Sequence, residues 1–290
     1  MAYRIEPDRR VAKEVVRVAQ EQVRGALSSV RRIQKNPEPA IHKARQHSKK
    51  LRALFRLIRP ELEAASTYKL NDDIARQVAR QLSTQRDAEV ALATLRSLEE
   101  RNPWAIDPKS LERLHRHLEK RAATSTGTRA LGKATKECIY LLGQQADLID
   151  EWRFRSGAPR TIEKGFSRTL RTARKWMGVA AETHAPEDFH CWRKHVKYHL
   201  YHLRLVAPAA IEDLSARIRQ AYRLQKLLGE HHDLVILDGV IAQLRSPARK
   251  HRDAIRHVIR DTAAARETQA LRVGEALLAQ PNRDRKRGTP

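Results

Sequence analysis

Cysteine is nearly absent from this sequence, with only Cys138 and Cys191 among 290 residues. Two cysteines cannot build a framework of disulfide bonds, so a reducing compartment is expected. The first ten residues lack the apolar segment of a signal peptide, and no apolar run reaches the roughly 18–20 residues of a membrane span. We therefore expect a soluble, cytoplasmic protein that makes no contact with a membrane.

Glycine is also sparse, at 11 residues, and β-branched residues rarely alternate with polar ones, which argues against a β-sheet. Long stretches rich in Ala, Leu, Arg, Glu and Gln instead predict an all-α protein. Prolines and polar clusters divide the sequence into predicted helices at about residues 10–33, 41–60, 67–100, 108–150, 161–181, 186–208, 211–244 and 249–278. One further break is expected near residues 125–127.

The sequence motifs of common enzymes are missing as well. There is no Gly-rich phosphate loop, no paired-carboxylate motif, and no Ser/His/Asp or Cys/His arrangement. His195, His199 and His202 have a helical spacing that can hold Zn²⁺ or Ni²⁺, but no acid-rich shell accompanies them. We expect a protein that is not an enzyme and that carries no cofactor or metal. An enzyme that transfers or hydrolyses phosphate is the alternative that the missing carboxylates disfavour.

What the sequence has in excess is positive charge. Lys and Arg number 58 against 34 Asp and Glu, which gives a net charge of +24 and an isoelectric point near 10.7. Such a surplus indicates a polyanionic partner, either nucleic acid, an anionic membrane or a polymer of phosphate, although a generally basic proteome would also produce it. The surplus is clustered, because the segment Ile41–Pro60 holds seven Lys or Arg residues and no acid.

The segment Ile41–Pro60 is predicted to form one amphipathic helix with a basic stripe. The stripe residues recur at steps of three and four and are His42, Arg45, Lys49, Arg52, Arg56 and Arg59. The opposite, apolar side consists of Ile41, Ala44, Leu51, Phe55 and Ile58. Like charges so arranged disfavour the helix by roughly 0.2–0.5 kcal/mol per pair, so the pattern indicates a bound anion. The alternative is a basic face that is simply solvated.

A second copy of this pattern occupies Phe189–Pro208, 148 residues later. Its stripe consists of His190, Arg193, Lys197 and Arg204, joined by Tyr201. The segments that follow also match, because Gln81–Asp87 parallels Leu227–Asp233 at a shift of 146 residues. Two ordered motifs at nearly equal offsets predict an internal duplication, with repeats at about 8–150 and 161–280. A linker is predicted at about 151–160, and a disordered basic tail at 281–290.

These paired motifs, His-x-x-Arg-x-x-x-Lys followed by Leu-[Gly/Ser]-x-x-[His/Arg]-Asp, resemble the CHAD domain (conserved histidine α-helical domain) over about residues 8–280. The resemblance implies two four-helix bundles related by a pseudo-two-fold, with basic helices lining a shared groove or pore. It also implies binding of inorganic polyphosphate and association with polyphosphate granules. Many members are fused to a CYTH triphosphatase domain, but the Glu-x-Glu-x-Lys signature of that domain is absent here, so a stand-alone binding module is expected.

The resemblance and the stripes together predict a polyphosphate-binding site on the two basic helices. Its predicted residues are His42, Arg45, Lys49, Lys50, Arg52, Arg56, His190, Arg193, Lys194, Lys197, Tyr201 and Arg204. The second helix departs from the first, since Tyr198 and Leu200 stand where Lys50 and Arg52 are expected, so unequal charge is predicted for the two halves.

Two alternatives stay open at the sequence level. His42 and His190 could either contact phosphate directly or be buried residues that orient neighbouring arginines. Non-specific binding of nucleic acid is the main rival function, although aromatic residues make up only 5% of the sequence and offer few surfaces for base stacking. A scaffold that coats a granule surface is compatible with polyphosphate binding.

Overall fold

The computed structural model describes residues 3–7, 9–82, 86–101, 107–124, 128–155, 159–210, 212–244 and 249–278. The prediction of an all-α protein is confirmed, because these residues form helices and only one isolated β-bridge, between Leu62 and Phe154. The helices are α1 (Val11–Arg31), α2 (Pro37–Ile58), α3 (Ala65–Gln81), α4 (Arg86–Arg101), α5 (Pro108–Thr124), α6 (Thr128–Asp150), α7 (Pro159–Thr183), α8 (Pro186–Val206), α9 (Ser215–Ala242) and α10 (Arg249–Leu278).

Most helix boundaries agree with the predicted ones, but the helix predicted over 67–100 is described as two, α3 and α4. Three predictions concern residues outside the described ranges: the break near 125–127, the break between the last two predicted helices and the tail at 281–290. In the described part of the chain, no helix combines the length and the apolar character that crossing a bilayer requires.

The two basic helices, α2 and α8, begin and end in the same way. Each has proline in its first helical turn, where the missing amide proton costs nothing and the fixed φ favours the helix: Pro37 in α2 and Pro186 in α8. Each is followed by a short 3₁₀ turn that contains a proline, at Arg59–Glu61 and Ala207–Ala209. The two segments therefore have nearly equal lengths and equivalent ends.

The buried apolar residues form three cores. The first joins α1, α2, α3 and α6 through residues such as Val18, Leu54, Phe55, Val78 and Leu142. The second joins α7, α8, α9 and α10 through residues such as Phe189, Trp192, Leu224 and Leu277. The third joins α4 and α5 to the C-terminal half of α9 and the N-terminal half of α10, through residues such as Leu95, Leu114, Leu237 and Ile259. The duplication into two equivalent four-helix bundles stays a prediction.

Glycine allows α7 to approach α2 closely. A Cβ atom at Gly165 would overlap the carbonyl oxygen of Leu57, which is backbone and cannot move aside. This contact holds α7 directly against the end of α2, so the second half of the chain is packed onto the first beside the basic helix.

The first part of the predicted linker is fixed to the rest of the fold. The amide of Arg155 donates to the carbonyl oxygen of Glu61 at 2.8 Å, and the amide of Glu63 donates to the carbonyl oxygen of Arg153 at 3.2 Å. Trp152 is buried edge-to-face against Phe55, with 5.6 Å between ring centroids. Residues 152–155 therefore belong to the packed structure, while residues 156–158 lie outside the described ranges.

Candidate polyanion-binding site

The helices α2 and α8 touch each other. The Nε2 atom of His202 lies 2.7 Å from the carbonyl oxygen of Ala53, so it carries the proton and donates a hydrogen bond. His202 is fully buried, and burial lowers its pKa to about 4, so the ring is neutral at physiological pH. At this level the two basic helices are in direct contact, and no open groove separates them.

A cation–π contact lies beside this hydrogen bond. The guanidinium carbon of Arg56, on α2, lies 4.6 Å from the ring centroid of Tyr198, on α8. Tyr198 is buried, so its ring presents a fixed surface to the arginine. This contact joins a stripe residue of α2 to α8.

Three arginines converge on the carboxylate of Asp72, a residue of α3 whose side chain is only 3% exposed. Arg52 approaches it with Nε at 2.8 Å from Oδ1, Arg76 with Nη2 at 3.0 Å from Oδ2, and Arg56 with Nη2 at 3.9 Å from Oδ2. Burial raises the pKa of Asp72, but the hydrogen bond from Arg52 and the charges of Arg52 and Arg56 outweigh it, and the net pKa is lowered. Asp72 is therefore ionised at neutral pH.

This arginine cluster, made of Arg52, Arg56 and Arg76, contains more positive than negative charge. Among the residues that the structure describes, the only other carboxylate in contact with it is that of the exposed Asp73, 3.5 Å from Arg76. Three guanidinium groups thus face two carboxylates, one of them at the solvent edge. An anion could add to the cluster without displacing its buried counter-charge.

The remaining predicted residues of α2 lie along the same helix. Arg45 donates from Nη1 to the carbonyl oxygen of Ala79 at 2.9 Å, which fixes its side chain against α3. His42 is exposed, and Lys49 is partly buried. The stripe therefore runs from an exposed end at His42 to the arginine cluster near the C-terminal end of α2.

The N-terminal segment covers the contact between α2 and α8. The hydroxyl of Tyr3 donates to the carbonyl oxygen of Lys50 at 3.0 Å, and the amide of Ile5 donates to the carbonyl oxygen of Leu205 at 2.9 Å. The Nζ atom of Lys50 lies 5.4 Å from the Tyr3 ring centroid. Burial, and then the charge of Arg204, lowers the pKa of Lys50. Lys50 therefore lies at the seam between the helices, to one side of the α2 stripe.

Tyr201 is placed differently from the stripe residues with which it was grouped. Its side chain is only 6% exposed and packs edge-to-face against Tyr3, with 6.0 Å between ring centroids. Burial raises the pKa of its hydroxyl, although the charge of Arg204 opposes this shift. The periodicity of α8 does point Tyr201 toward the stripe, but the N-terminal segment folds over it and makes it part of the core.

The N-terminal half of the α8 stripe is built on a pair of histidines. The Nδ1 atoms of His190 and His232 lie 3.2 Å apart, so one ring donates and the other accepts. Burial and the charges of Lys194 and Arg193 lower the pKa of His190. Burial and the charge of Arg193 lower the pKa of His232 to about 3. Both rings are therefore neutral at pH 7 and partly buried, whereas His42 in α2 is exposed.

The other predicted residues of α8 lie along the same helix. A Cβ atom at Gly229 would lie 3.9 Å from the Nε atom of Arg193, so Arg193 passes close to the glycine of the Leu227–Asp233 motif. Lys194 and Arg204 are exposed, and Lys197 is partly buried. These residues form the α8 stripe, which is less basic than the α2 stripe because it contains no arginine cluster.

Sequence reasoning missed several residues that shape the site: Tyr3, Asp72, Arg76, Tyr198 and His232. Asp72 and Arg76 lie in a helix of mixed charge, where an Asp–Arg pair at i and i+4 is an ordinary surface pattern. His232 lies in the repeated motif Leu227–Asp233, so the repeat itself could have identified His232 as a site residue. Among the described residues, no group of three or more His, Cys, Asp or Glu side chains could hold a metal ion.

Comparison with known proteins adds two kinds of similarity. The profile of the family described as "CHAD domain" matches residues 14–242. The fold is similar to the crystal structure of the CHAD domain from the plant Ricinus communis, with a TM-score of 0.67 and 19% identity, covering 97% of this chain and 96% of that one. It is also similar to PptA from Streptomyces chartreusis, with a TM-score of 0.64 and 14% identity, covering 94% of this chain and all of that one. A search of curated proteins gave no match.

Proposed function

Because the chain belongs to the CHAD domain family, whose members are associated with polyphosphate, we propose that it binds inorganic polyphosphate through the α2 and α8 stripes without catalysing a reaction. The observation that carries the proposal is the arginine cluster at Asp72, next to the point where the two basic helices touch. The cluster supports an anion site because its guanidinium groups are held in fixed positions and are not fully neutralised.

The chemistry of polyphosphate suits such a surface. The polymer carries about one negative charge per phosphate and has no base edges to read, so its receptor needs closely spaced cations and little else. Arginine holds non-bridging oxygens with two parallel hydrogen bonds, and lysine acts as a point charge. Side chains one helical turn apart repeat at roughly 5–6 Å, so one stripe can contact several phosphates in succession.

The two stripes contribute unequally in this proposal. The α2 stripe supplies most of the charge, through Arg45, Lys49 and the arginine cluster. The α8 stripe supplies Arg193, Lys197 and Arg204, together with His190, which pairs with His232. His190 then acts as a hydrogen-bonding group, because its lowered pKa disfavours the cationic form.

Association with polyphosphate granules in the cytoplasm extends the same proposal. A granule surface presents many phosphate chains at once, and multivalent contacts along a stripe would hold the protein there. The protein would then organise or coat the granule rather than process its polymer.

The decisive experiment is a binding titration of long-chain polyphosphate against the double variant Arg45→Glu/Lys49→Glu at physiological salt. We expect binding to be lost while circular dichroism shows unchanged helicity. The matched control is Lys133→Glu/Lys136→Glu, which makes the same charge change at exposed positions of α6 and should bind almost normally. Retained affinity in the α2 variant would mean that the stripe is only a solvated face.

A second measurement addresses catalysis. Incubation of the protein with polyphosphate or nucleoside triphosphates, with and without divalent metal ions, should release no phosphate. Release that grows with protein concentration would replace the binding proposal with a hydrolase.

A further inference from the structure

One aromatic ring lies exposed in the middle of a basic helical face outside the proposed polyphosphate site. Tyr222, on α9, is 51% exposed. Among the described residues, the only other large hydrophobic side chains with comparable exposure are Leu70 and Tyr140. A single exposed tyrosine is common on protein surfaces, so the residues around it decide whether it belongs to a binding face.

The exposed residues that neighbour Tyr222 on its face of α9 are basic. Four exposed residues define what we call the α9 stripe: Arg219, Tyr222, Arg223 and Lys226. Their spacing of three, four and seven places them within about 100° of the helix circumference. No acid occurs between residues 214 and 229. The nearest carboxylate before this segment is that of Asp213, whose pKa is lowered by hydrogen bonding from Ser215 and, to a smaller extent, by the charge of Arg219. The nearest one after it is that of Glu230, which pairs with Arg266.

Tyr140 provides the contrast. It is more exposed than Tyr222, at 63%, but its hydroxyl accepts a hydrogen bond from Nε2 of Gln144 at 3.0 Å. Its neighbours on α6 include exposed carboxylates such as Glu137 and Asp147. A polyanion would be repelled there as much as attracted, so exposure of a tyrosine alone does not define a binding face.

The α9 stripe is continuous with the α8 stripe. The guanidinium carbon of Arg204 lies 5.7 Å from the ring centroid of Tyr222. The guanidinium lies over one face of the ring, and another flat, π-bonded group can extend this cation–π stack. Inorganic polyphosphate has no such group, and a nucleobase does.

We propose that single-stranded nucleic acid binds along the α9 stripe, with one base stacked on Tyr222 and the backbone phosphates held by the stripe's cations. A single strand is favoured over a duplex because its bases can unstack and present their faces, whereas paired bases are enclosed. Binding without sequence preference follows, since every base has a stacking face and the phosphate contacts read no sequence. This inference does not depend on polyphosphate binding, although the shared Arg204 predicts that the two ligands compete.

The test is a titration of the full chain with a thymine oligonucleotide and, separately, with inorganic polyphosphate. Tyr222→Ala should lower the affinity for the oligonucleotide about tenfold, because one stacked base is lost, and should change the polyphosphate affinity by less than about twofold. Tyr222→Phe keeps the ring and should bind the oligonucleotide like the parent. Tyr140→Ala is the matched control and should change neither affinity.

The outcomes separate this inference from the proposed function. Equal weakening of both ligands by Tyr222→Ala, or no weakening of either, would overturn the stacking role. Failure of the parent protein to bind polyphosphate, with the oligonucleotide still dependent on Tyr222, would remove the proposed function and leave this inference standing. The affinity for duplex DNA should not change with Tyr222→Ala. A loss of duplex affinity as large as the loss for the single strand would also contradict base stacking.

A crosslinking experiment locates the contact. An oligonucleotide that carries 5-bromouracil, irradiated in complex with the parent protein, should attach to the peptide that contains Tyr222. Attachment only to peptides of α2 would instead place the nucleic acid in the polyphosphate site and overturn the proposed surface.

Discussion

Arg52 donates two hydrogen bonds to the carboxylate of Asp72, from Nε to Oδ1 at 2.8 Å and from Nη2 to Oδ2 at 3.4 Å. The pair spans two helices, α2 and α3, and Asp72 is its buried member. The carboxylate holds the arginine side chain in one orientation. It thereby also fixes the position of the guanidinium edge that remains available to an anion. Asp72 is therefore the residue on which the geometry of the arginine cluster depends.

Replacing Asp72 with alanine should destabilise the fold by about 2–4 kcal/mol, because three arginines lose their shared counter-charge. Urea unfolding at pH 7 measures this change. Asp73→Ala removes the neighbouring exposed carboxylate and should change stability by less than about 0.5 kcal/mol. Equal effects of the two substitutions would show that burial of Asp72 contributes nothing.

The helices α2 and α8 were recognisable from sequence because prolines flank them and their stripes have helical periodicity, although α2 begins at Pro37, four residues before the predicted start. The break between α3 and α4 was missed, since no proline or glycine occurs between residues 76 and 88. The burial of Tyr201 could not be foreseen from helical periodicity, because the residue that covers it, Tyr3, is almost 200 positions away in the sequence. The role of Asp72 could not be predicted from sequence either, because only the packing of α3 on α2 brings its carboxylate to Arg52.

Stability should fall as the pH is lowered from about 6.5 to about 4, because burial lowers the pKa of several histidines, of which His199 and His202 are the most deeply buried. Burial lowers the pKa of His199 to about 3 and that of His202 to about 4. Both values lie below the usual value of about 6.5, so the unfolded chain binds more protons than the folded chain in this window. The free energy of unfolding should decrease by up to about 1.4 kcal/mol per pH unit for each histidine.

The pH effect can be assigned by substitution. His199→Leu should make the dependence of urea unfolding on pH between 7.5 and 5.5 less steep by the contribution of one histidine, and among the described residues the ring of His199 has no hydrogen-bond partner to lose. His117→Gln removes an exposed histidine and should leave the slope as it is in the parent. A parent protein equally stable at both pH values would mean that the buried rings accept protons without cost.

Gly165→Ala should destabilise the protein by about 1–3 kcal/mol, because the added methyl group meets the backbone of Leu57. Thermal unfolding measures the effect. Gly143→Ala is the matched control, since nothing lies within 4 Å of the added atom and alanine favours the helix. That control should stabilise the protein by about 0.5–1 kcal/mol. If both variants were stabilised, α7 would not lie close against α2.

Polyphosphate affinity should depend on salt and on chain length. The logarithm of the binding constant should fall linearly with the logarithm of salt concentration, since each contact releases counterions. Long chains should bind more tightly than short ones at equal phosphate concentration, because contacts along the stripes accumulate. Titrations with chains of two defined lengths at several salt concentrations provide the measurement. Affinity independent of both variables would point to a small, closed phosphate pocket instead.

The direct contact between α2 and α8 has a thermodynamic consequence for any flexible polymer that binds there. The His202–Ala53 hydrogen bond and the Tyr3 and Ile5 contacts fix the register of one helix against the other. The spacing of cations across the seam is thus set before a ligand arrives, and the protein loses little conformational entropy on binding. Most of the loss of freedom therefore falls on the polymer, so a stiffened or condensed chain, such as one already packed in a granule, should bind more favourably than the same chain free in solution.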